Sequence, residues 1–133
     1  MRLSKLIAPP AASSDGLALN GPDVDITGIT ADSRNVKPGF LFAAIPGTKN
    51  DGRAFIPEAI KRGAVAVLEP QGTDPSSVTA VTAPDVRKAI SLIAAQFYPR
   101  QPETIAAVTG TSGKTSTTQF ARELWSRLGR RSA

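Results

Sequence analysis

The eight residues Thr109-Gly110-Thr111-Ser112-Gly113-Lys114-Thr115-Ser116 restrict the folds open to this chain more than any other part of it. An apolar run at 104–108 precedes them and reads as a buried strand. A stretch follows with Thr117, Phe120, Ala121, Leu124, Trp125 and Leu128 at helical spacing, ending at Gly129. Strand, glycine-rich turn and helix in that order belong to an α/β architecture. Small residues in such a turn let backbone N–H groups converge on phosphate oxygens at the positive end of the helix. Lys114 would then neutralise the β- and γ-phosphates of a nucleotide, and the Thr115 hydroxyl would hold Mg²⁺. The common form of the loop has glycine five positions before Gly113, where this chain has Val108; its earlier glycine is Gly110, so the spacing is a variant. Alternatively the glycines only relieve strain and Lys114 is a solvated first-turn residue. A lysine there opposes the helix macrodipole, so a nearby anion is the simpler account.

Composition limits the chemistry further. The 133 residues include no histidine and no cysteine. Disulfides, Ser-His and Cys-His nucleophile systems and the usual zinc ligands are therefore excluded. Sixteen Lys and Arg against eleven Asp and Glu give +5, but Arg122, Arg127, Arg130 and Arg131 lie in the last twelve residues with only Glu123 opposing them. Without that segment the excess is +2, with 5% aromatic residues in the whole chain. Nucleic-acid binding wants a basic stripe with rings to stack on bases, so no nucleic-acid partner is expected. No apolar run approaches the roughly 18 residues of a membrane helix, and no long apolar stretch follows the first seven residues. No membrane partner is expected, and a cytoplasmic location is the default. A hydrophobic share of 41% suits a packed core of one domain and a fraction.

Along the chain, 3–7 predicts a short helix stopped by Pro9-Pro10, and 11–23 a loop. Residues 25–30 predict a strand, Pro38-Gly39 a turn and 40–45 a buried strand, followed by a loop over 48–54. Phe55, Ile56, Ala59 and Ile60 share one face of a helix that ends at Gly63, and 64–68 is an apolar strand. A further strand is possible at 78–81. Asp85 is a good N-cap for a helix carrying Val86, Ala89, Ile90, Ile93 and Phe97 on one stripe, closed by Pro99. The stripes over 86–97 and 120–128 read as core. Two prolines and three polar side chains at 98–103 mark a linker, with a boundary near Pro102.

Three motifs carry a resemblance. The loop Thr109 to Ser116 resembles the T-G-T-x-G-K-T-[ST] segment of the Mur ligases, whose earlier glycine sits where Gly110 does. Upstream, Asp32-Ser33-Arg34-Asn35-Val36-Lys37-Pro38-Gly39-Phe40-Leu41-Phe42-Ala43-Ala44 resembles the D-S-R-x-V-x-x-G-x-L-F-x-A segment of MurE- and MurF-type ligases. Asp51-Gly52-Arg53-Ala54-Phe55-Ile56, continuing through Ala59 to Gly63-Ala64, is similar to the D-G-x-x-F-I-x-x-A-x-x-x-G-A segment that follows. The loop alone does not separate Mur ligases from folylpolyglutamate synthase; the D-S-R segment does. Gly-Thr-Ser-Gly-Lys-Thr-Ser followed by Thr117-Thr118-Gln119-Phe120 is most similar to the MurE type, with MurF as the close rival.

The resemblance implies an α/β fold. Residues 1–102 would form the small N-terminal domain that binds the UDP-MurNAc substrate, and 103–133 the first strand, P-loop and helix of an incomplete ATP-binding domain. It implies an ATP-dependent amide ligase of peptidoglycan synthesis that adds meso-diaminopimelate or lysine to UDP-MurNAc-L-Ala-D-Glu through an acyl-phosphate. ATP would lie on Gly110, Thr111, Ser112, Gly113, Lys114, Thr115 and Ser116, with Lys114 catalytic and Thr115 on Mg²⁺. The UDP-sugar would lie on Ala31, Ser33, Thr48, Lys49 and Asn50. Some family members have His-Gln where this chain has Thr48-Lys49. Ser33 could bind through its hydroxyl or cap a turn; Arg34 could meet pyrophosphate or pair with Asp32 or Asp51; Asp51-Gly52 would shape the pocket as a turn. In this family a glutamate for Mg²⁺, a carbamylated lysine and the diamino-acid pocket come later than residue 133. The chain is therefore expected to be the N-terminal part of a ligase, monomeric and inactive alone. A stand-alone module that holds a UDP-sugar or nucleotide without catalysis is the alternative.

Overall fold

The computed structural model describes residues 1–8, 16–47, 51–73, 76–100 and 104–130, and its contacts divide it into two units, Met1–Arg100 and Gln101–Ala133. In the first unit, strands β1 (Ala18–Asn20), β2 (Gly28–Thr30), β3 (Phe40–Ala43), β4 (Ala64–Pro70) and β5 (Thr79–Ala83) form one sheet in the order β1-β5-β4-β3-β2. Strands β2 to β5 run parallel, and β1 closes the far edge antiparallel to β5.

The apolar character of β3 and β4 follows from cover on both faces, as parallel sheets require. On one side Leu41, Ala43, Ala66, Leu68, Val81 and Ala83 pack with helices α1 (Leu3–Ile7) and α3 (Val86–Phe97) through Leu3, Leu6, Val86, Ala89 and Ile93. On the other, Phe42, Ala44 and Val67 meet Ala59 of helix α2 (Ile56–Lys61). The start of α3 is fixed by Asp85, whose carboxylate accepts the N–H of Arg87 at 2.9 Å and of Lys88 at 3.0 Å.

Parallel neighbours are usually joined through a helix. Residues 71–78, which join β4 to β5, hold none among those described. Glu69, near the end of β4, is only 1% exposed, and the Ser76 hydroxyl donates to its carboxyl oxygens at 3.3 and 3.5 Å. Burial pushes the Glu69 carboxyl above its ordinary range, against the opposing effect of the Ser76 bond. Asn20, Glu69, Thr79 and Thr82 line a cleft of about 760 Å³ on this part of the sheet.

Several expectations change. The segment read as loop over 11–23 contains β1, a three-residue edge strand whose sequence Ala-Leu-Asn carries no β-branched residue. The strand expected over 25–30 begins only at Gly28. Its first half pairs instead with the N-terminus: Leu3 N–H donates to Val24 O at 2.9 Å and Ile26 N–H to Met1 O at 2.7 Å. Strand β3 stops at Ala43, where the Ile45 N–H turns back onto the Ala43 carbonyl, while β4 and β5 each run two residues past their expected ends. Part of the loop expected over 48–54 is a 3₁₀ turn, Gly52–Phe55, leading into α2. Pro9, Pro10 and Pro102 lie outside the described residues.

In the second unit, helix α4 (Lys114–Arg127) forms where the periodicity places it. The buried strand expected at 104–108 is not one: those residues belong to no sheet and are exposed, Ile105 to 73%. The stripe Phe120, Leu124, Trp125 and Leu128 is likewise exposed rather than core, Phe120 to 73%. The described part of this unit holds one helix and no second layer, and an apolar face needs another element to cover it.

Candidate functional site

In parallel sheets ligands gather beyond the carboxyl ends of the strands. At that end of β2, Ala31 is exposed and Asp32 caps the 3₁₀ turn Ser33–Asn35 by accepting the Arg34 N–H at 3.0 Å. Asp32 also accepts Arg34 Nε at 2.9 Å and Nη2 at 2.7 Å. The guanidinium and then the backbone N–H of Arg34 pull the Asp32 carboxyl down to about 2. Of the options open for Arg34, the structure shows the pair with Asp32.

The end of β3 repeats the device. Asp51 accepts the Arg53 N–H at 3.0 Å and Arg53 Nε at 2.8 Å, which lowers its carboxyl in the same way. Gly52 lies so close to the chain at Ile45 that a Cβ would stand 2.5 Å from the Ile45 nitrogen; its own N–H donates to Ile45 O at 3.0 Å. That contact ties Asp51-Gly52 to the chain just past the end of β3. Thr48, Lys49 and Asn50 lie outside the described residues.

Ser33 does not cap the turn; Asp32 does. The Ser33 side chain is buried and its Oγ donates to Glu58 Oε2 at 3.3 Å. Glu58 lies in the first turn of α2, where its Oε1 accepts Arg62 Nε at 3.0 Å, and Arg62 Nη1 reaches the Arg34 carbonyl at 3.4 Å. Sequence reading missed Glu58, which lies 25 residues from Ser33. Its one local sign was the Glu58/Arg62 spacing of four, which usually marks only a surface pair.

In the second unit, Gly110, Thr111, Ser112, Gly113, Lys114, Thr115 and Ser116 are all exposed. Gly113 is the N-cap of α4 with φ of +76°, a conformation that costs glycine little. No side chain caps the helix, so its first-turn N–H groups are left for another acceptor. Lys114 Nζ folds back to donate to the Gly110 carbonyl, which places the ammonium over the loop. The Thr115 hydroxyl, expected to hold a metal, is on the first turn of α4 and exposed. Among the described residues no three acidic side chains gather to hold an ion, and no helix is long and apolar enough to cross a membrane.

Against known proteins, the family model described as "Mur ligase family, catalytic domain" matches residues 25–98, wholly within the first unit. The UDP-N-acetylmuramoyl-L-alanyl-D-glutamate--2,6-diaminopimelate ligase of Bradyrhizobium diazoefficiens is 46% identical over 133 residues, covering 100% of this chain and 27% of its own. That of Caulobacter vibrioides is 45% identical over 133 residues, 99% of this chain and 26% of its own. That of Brucella melitensis is 50% identical over 109 residues, 80% of this chain and 22% of its own. The chain thus spans about a quarter of the length of the curated relatives it matches. Among solved structures, MurF from Acinetobacter baumannii superposes with a TM-score of 0.63 at 27% identity, over 77% of this chain and 23% of that one. MurF from Thermotoga maritima in complex with ADP gives 0.59 at 28% identity, over 74% and 23%.

Proposed function

Because the chain belongs to the Mur ligase family, we propose that it is the part of a MurE-type ligase that holds UDP-MurNAc-L-Ala-D-Glu, joined to the first loop of the ATP site. The observation that carries this reading is the 46% identity to a diaminopimelate ligase across all 133 residues. The solved neighbours are MurF, but at 27–28% identity they weigh less in choosing between the two types. The diamino acid added would be 2,6-diaminopimelate, as in the names of those relatives, rather than lysine.

A carboxylate is a poor electrophile until its oxygen becomes part of a phosphate leaving group. In the proposed reaction ATP phosphorylates the D-Glu carboxylate, and the amine of the diamino acid adds to the acyl carbon and expels phosphate. The protein's share of such chemistry is positioning and charge neutralisation. The uncapped N–H groups at the start of α4 and the Lys114 ammonium fit a polyphosphate. On binding, Lys114 exchanges the Gly110 carbonyl for phosphate oxygens. Thr115 would hold Mg²⁺, which when bound supplies positive charge to the phosphates. Residues 1–102 form the substrate domain in this proposal and 103–133 the start of the ATP-binding one. UDP contacts fall on Ala31, Ser33 and the loop carrying Thr48, Lys49 and Asn50.

The protein is proposed to be monomeric and cytoplasmic, and these 133 residues alone to bind without turnover. Calorimetric titration with UDP-MurNAc-dipeptide tests the substrate site: saturable binding is expected, and a folded sample with no heat of binding overturns it. Phosphate release by the 133-residue chain, given ATP, UDP-MurNAc-dipeptide and diaminopimelate, would overturn the second statement.

A further inference from the structure

We infer that Glu58 is a positioning residue that turns the Ser33 hydroxyl into a hydrogen-bond acceptor for the nucleoside half of the bound nucleotide, away from its phosphates; this rests on the UDP reading of the β2 edge. A serine hydroxyl has one proton and two lone pairs. Here the proton goes to Glu58 Oε2 at 3.3 Å, and Ser33 is only 7% exposed. Glu58 is itself held from behind, by Arg62 Nε at 3.0 Å, while Arg62 Nη1 grips the Arg34 carbonyl at 3.4 Å. The hydroxyl is therefore clamped between the turn after β2 and the first turn of α2.

With its proton committed, Ser33 Oγ offers a ligand only lone pairs. The carboxylate behind it disfavours a phosphate oxygen at that place and strengthens an incoming N–H or O–H, because consecutive hydrogen bonds polarise one another. The cations of this edge lie on the flanking residues. Arg34 and Arg53 are paired with Asp32 and Asp51, yet a guanidinium carries more N–H donors than one carboxylate takes up. Phosphates belong beside those groups, and the donor-bearing base or ribose of a uridine nucleotide belongs at Ser33.

The test is a double-mutant cycle on the 133-residue chain, with Ser33→Ala, Glu58→Ala and both together, read as affinity for uridine and for UDP by NMR titration. Ser33→Ala is expected to weaken uridine and UDP by the same factor, about 5- to 10-fold, the worth of one hydrogen bond. Glu58→Ala is expected to weaken both about 3-fold or more, and to add nothing once Ser33 is alanine. Glu58→Gln, which keeps an acceptor oxygen, should retain most of the affinity. Should Glu58→Ala fail to fold, Arg62→Ala takes its place in the cycle with a smaller expected effect. A Ser33→Ala loss confined to UDP overturns the inference by placing a phosphate at Ser33. Losses that add independently overturn it by making Glu58 a mere clip. Binding of UDP that ignores both substitutions overturns the inference alone; no binding of uridine or UDP by the folded wild-type chain overturns the nucleotide reading and the inference with it.

Discussion

Asp32 holds Arg34 at two points, Oδ1 to Nε at 2.9 Å and Oδ2 to Nη2 at 2.7 Å, while the same carboxylate caps the turn that carries Ser33. The anion is the form that makes these bonds, which is why its pKa falls from 3.8 to about 2. A depressed folded-state value gives stability that is complete above the unfolded value and lost as pH falls from about 4 toward 2. Arg34→Ala is expected to raise the Asp32 titration midpoint toward 3.8, stopping short because the residue-34 N–H still donates. Carbon NMR of the side-chain carboxyl reads this directly; an unmoved midpoint would refute the pairing.

Glu69 has the opposite sign. Its carboxyl is pushed up from 4.5 by burial, so the folded state holds a proton that the unfolded state has already released. Stability should therefore decline as pH rises from about 4.5 through the raised value and level off above it. Glu69→Gln removes that decline and is expected to stabilise the chain at pH 7 by about 1 kcal/mol, the order of an incompletely paired buried polar group. Urea titrations at a series of pH values compare the two proteins. Equal pH slopes would show that Glu69 is not the cause.

Gly52→Ala should destabilise the first unit by roughly 1–3 kcal/mol, the usual cost of overpacking. The added methyl would meet the Ile45 nitrogen at 2.5 Å, the Ile45 oxygen at 2.6 Å and the Ala44 carbonyl carbon at 2.8 Å, all backbone that cannot swing aside. If the proposed UDP site is right, the same substitution should also weaken UDP binding, because it disturbs the contact between Gly52 and the chain at Ile45, next to Asp51. Denaturant midpoints and UDP titration measure the two effects.

Apolar residues on the two long helices should respond very differently to truncation. Ile93→Ala, at a fully buried position on α3, is expected to cost about 2–5 kcal/mol. Phe120→Ala on α4 should change stability by no more than about 0.5 kcal/mol, since its ring is largely in water. Urea unfolding followed by circular dichroism separates the cases. A large loss at Phe120 would mean that its side chain is covered in solution.

What the amino-acid pattern revealed follows from where each cause lies. Helix α3 was legible because its cap, Asp85, and its stripe, Val86, Ala89, Ile90, Ile93 and Phe97, are all local. Strands β3 and β4 were legible because cover on both faces demands uninterrupted apolar runs. Strand β1 was not, since three residues on an edge owe their state to a partner far along the chain. The segment 104–108 was misread for the same reason: an apolar run becomes a strand only beside another strand, and none lies within its unit among the described residues. At the site, Asp32, Ser33 and Arg34 are one contiguous motif, whereas Glu58 and Arg62 reach it only through the packing of α2.

The pairing of β1 with β5 joins Ala18 to Thr82 and Leu19 to Val81, and α1 rests on α3. During synthesis β1 therefore leaves the ribosome with no strand to pair with until some sixty more residues have followed. At about 5–20 residues per second that is a wait of several seconds. The parallel pairings of β2 to β5 do not need β1, which adds to the far edge of β5. A chaperone or protease acting on the nascent protein would find its target in that open interval.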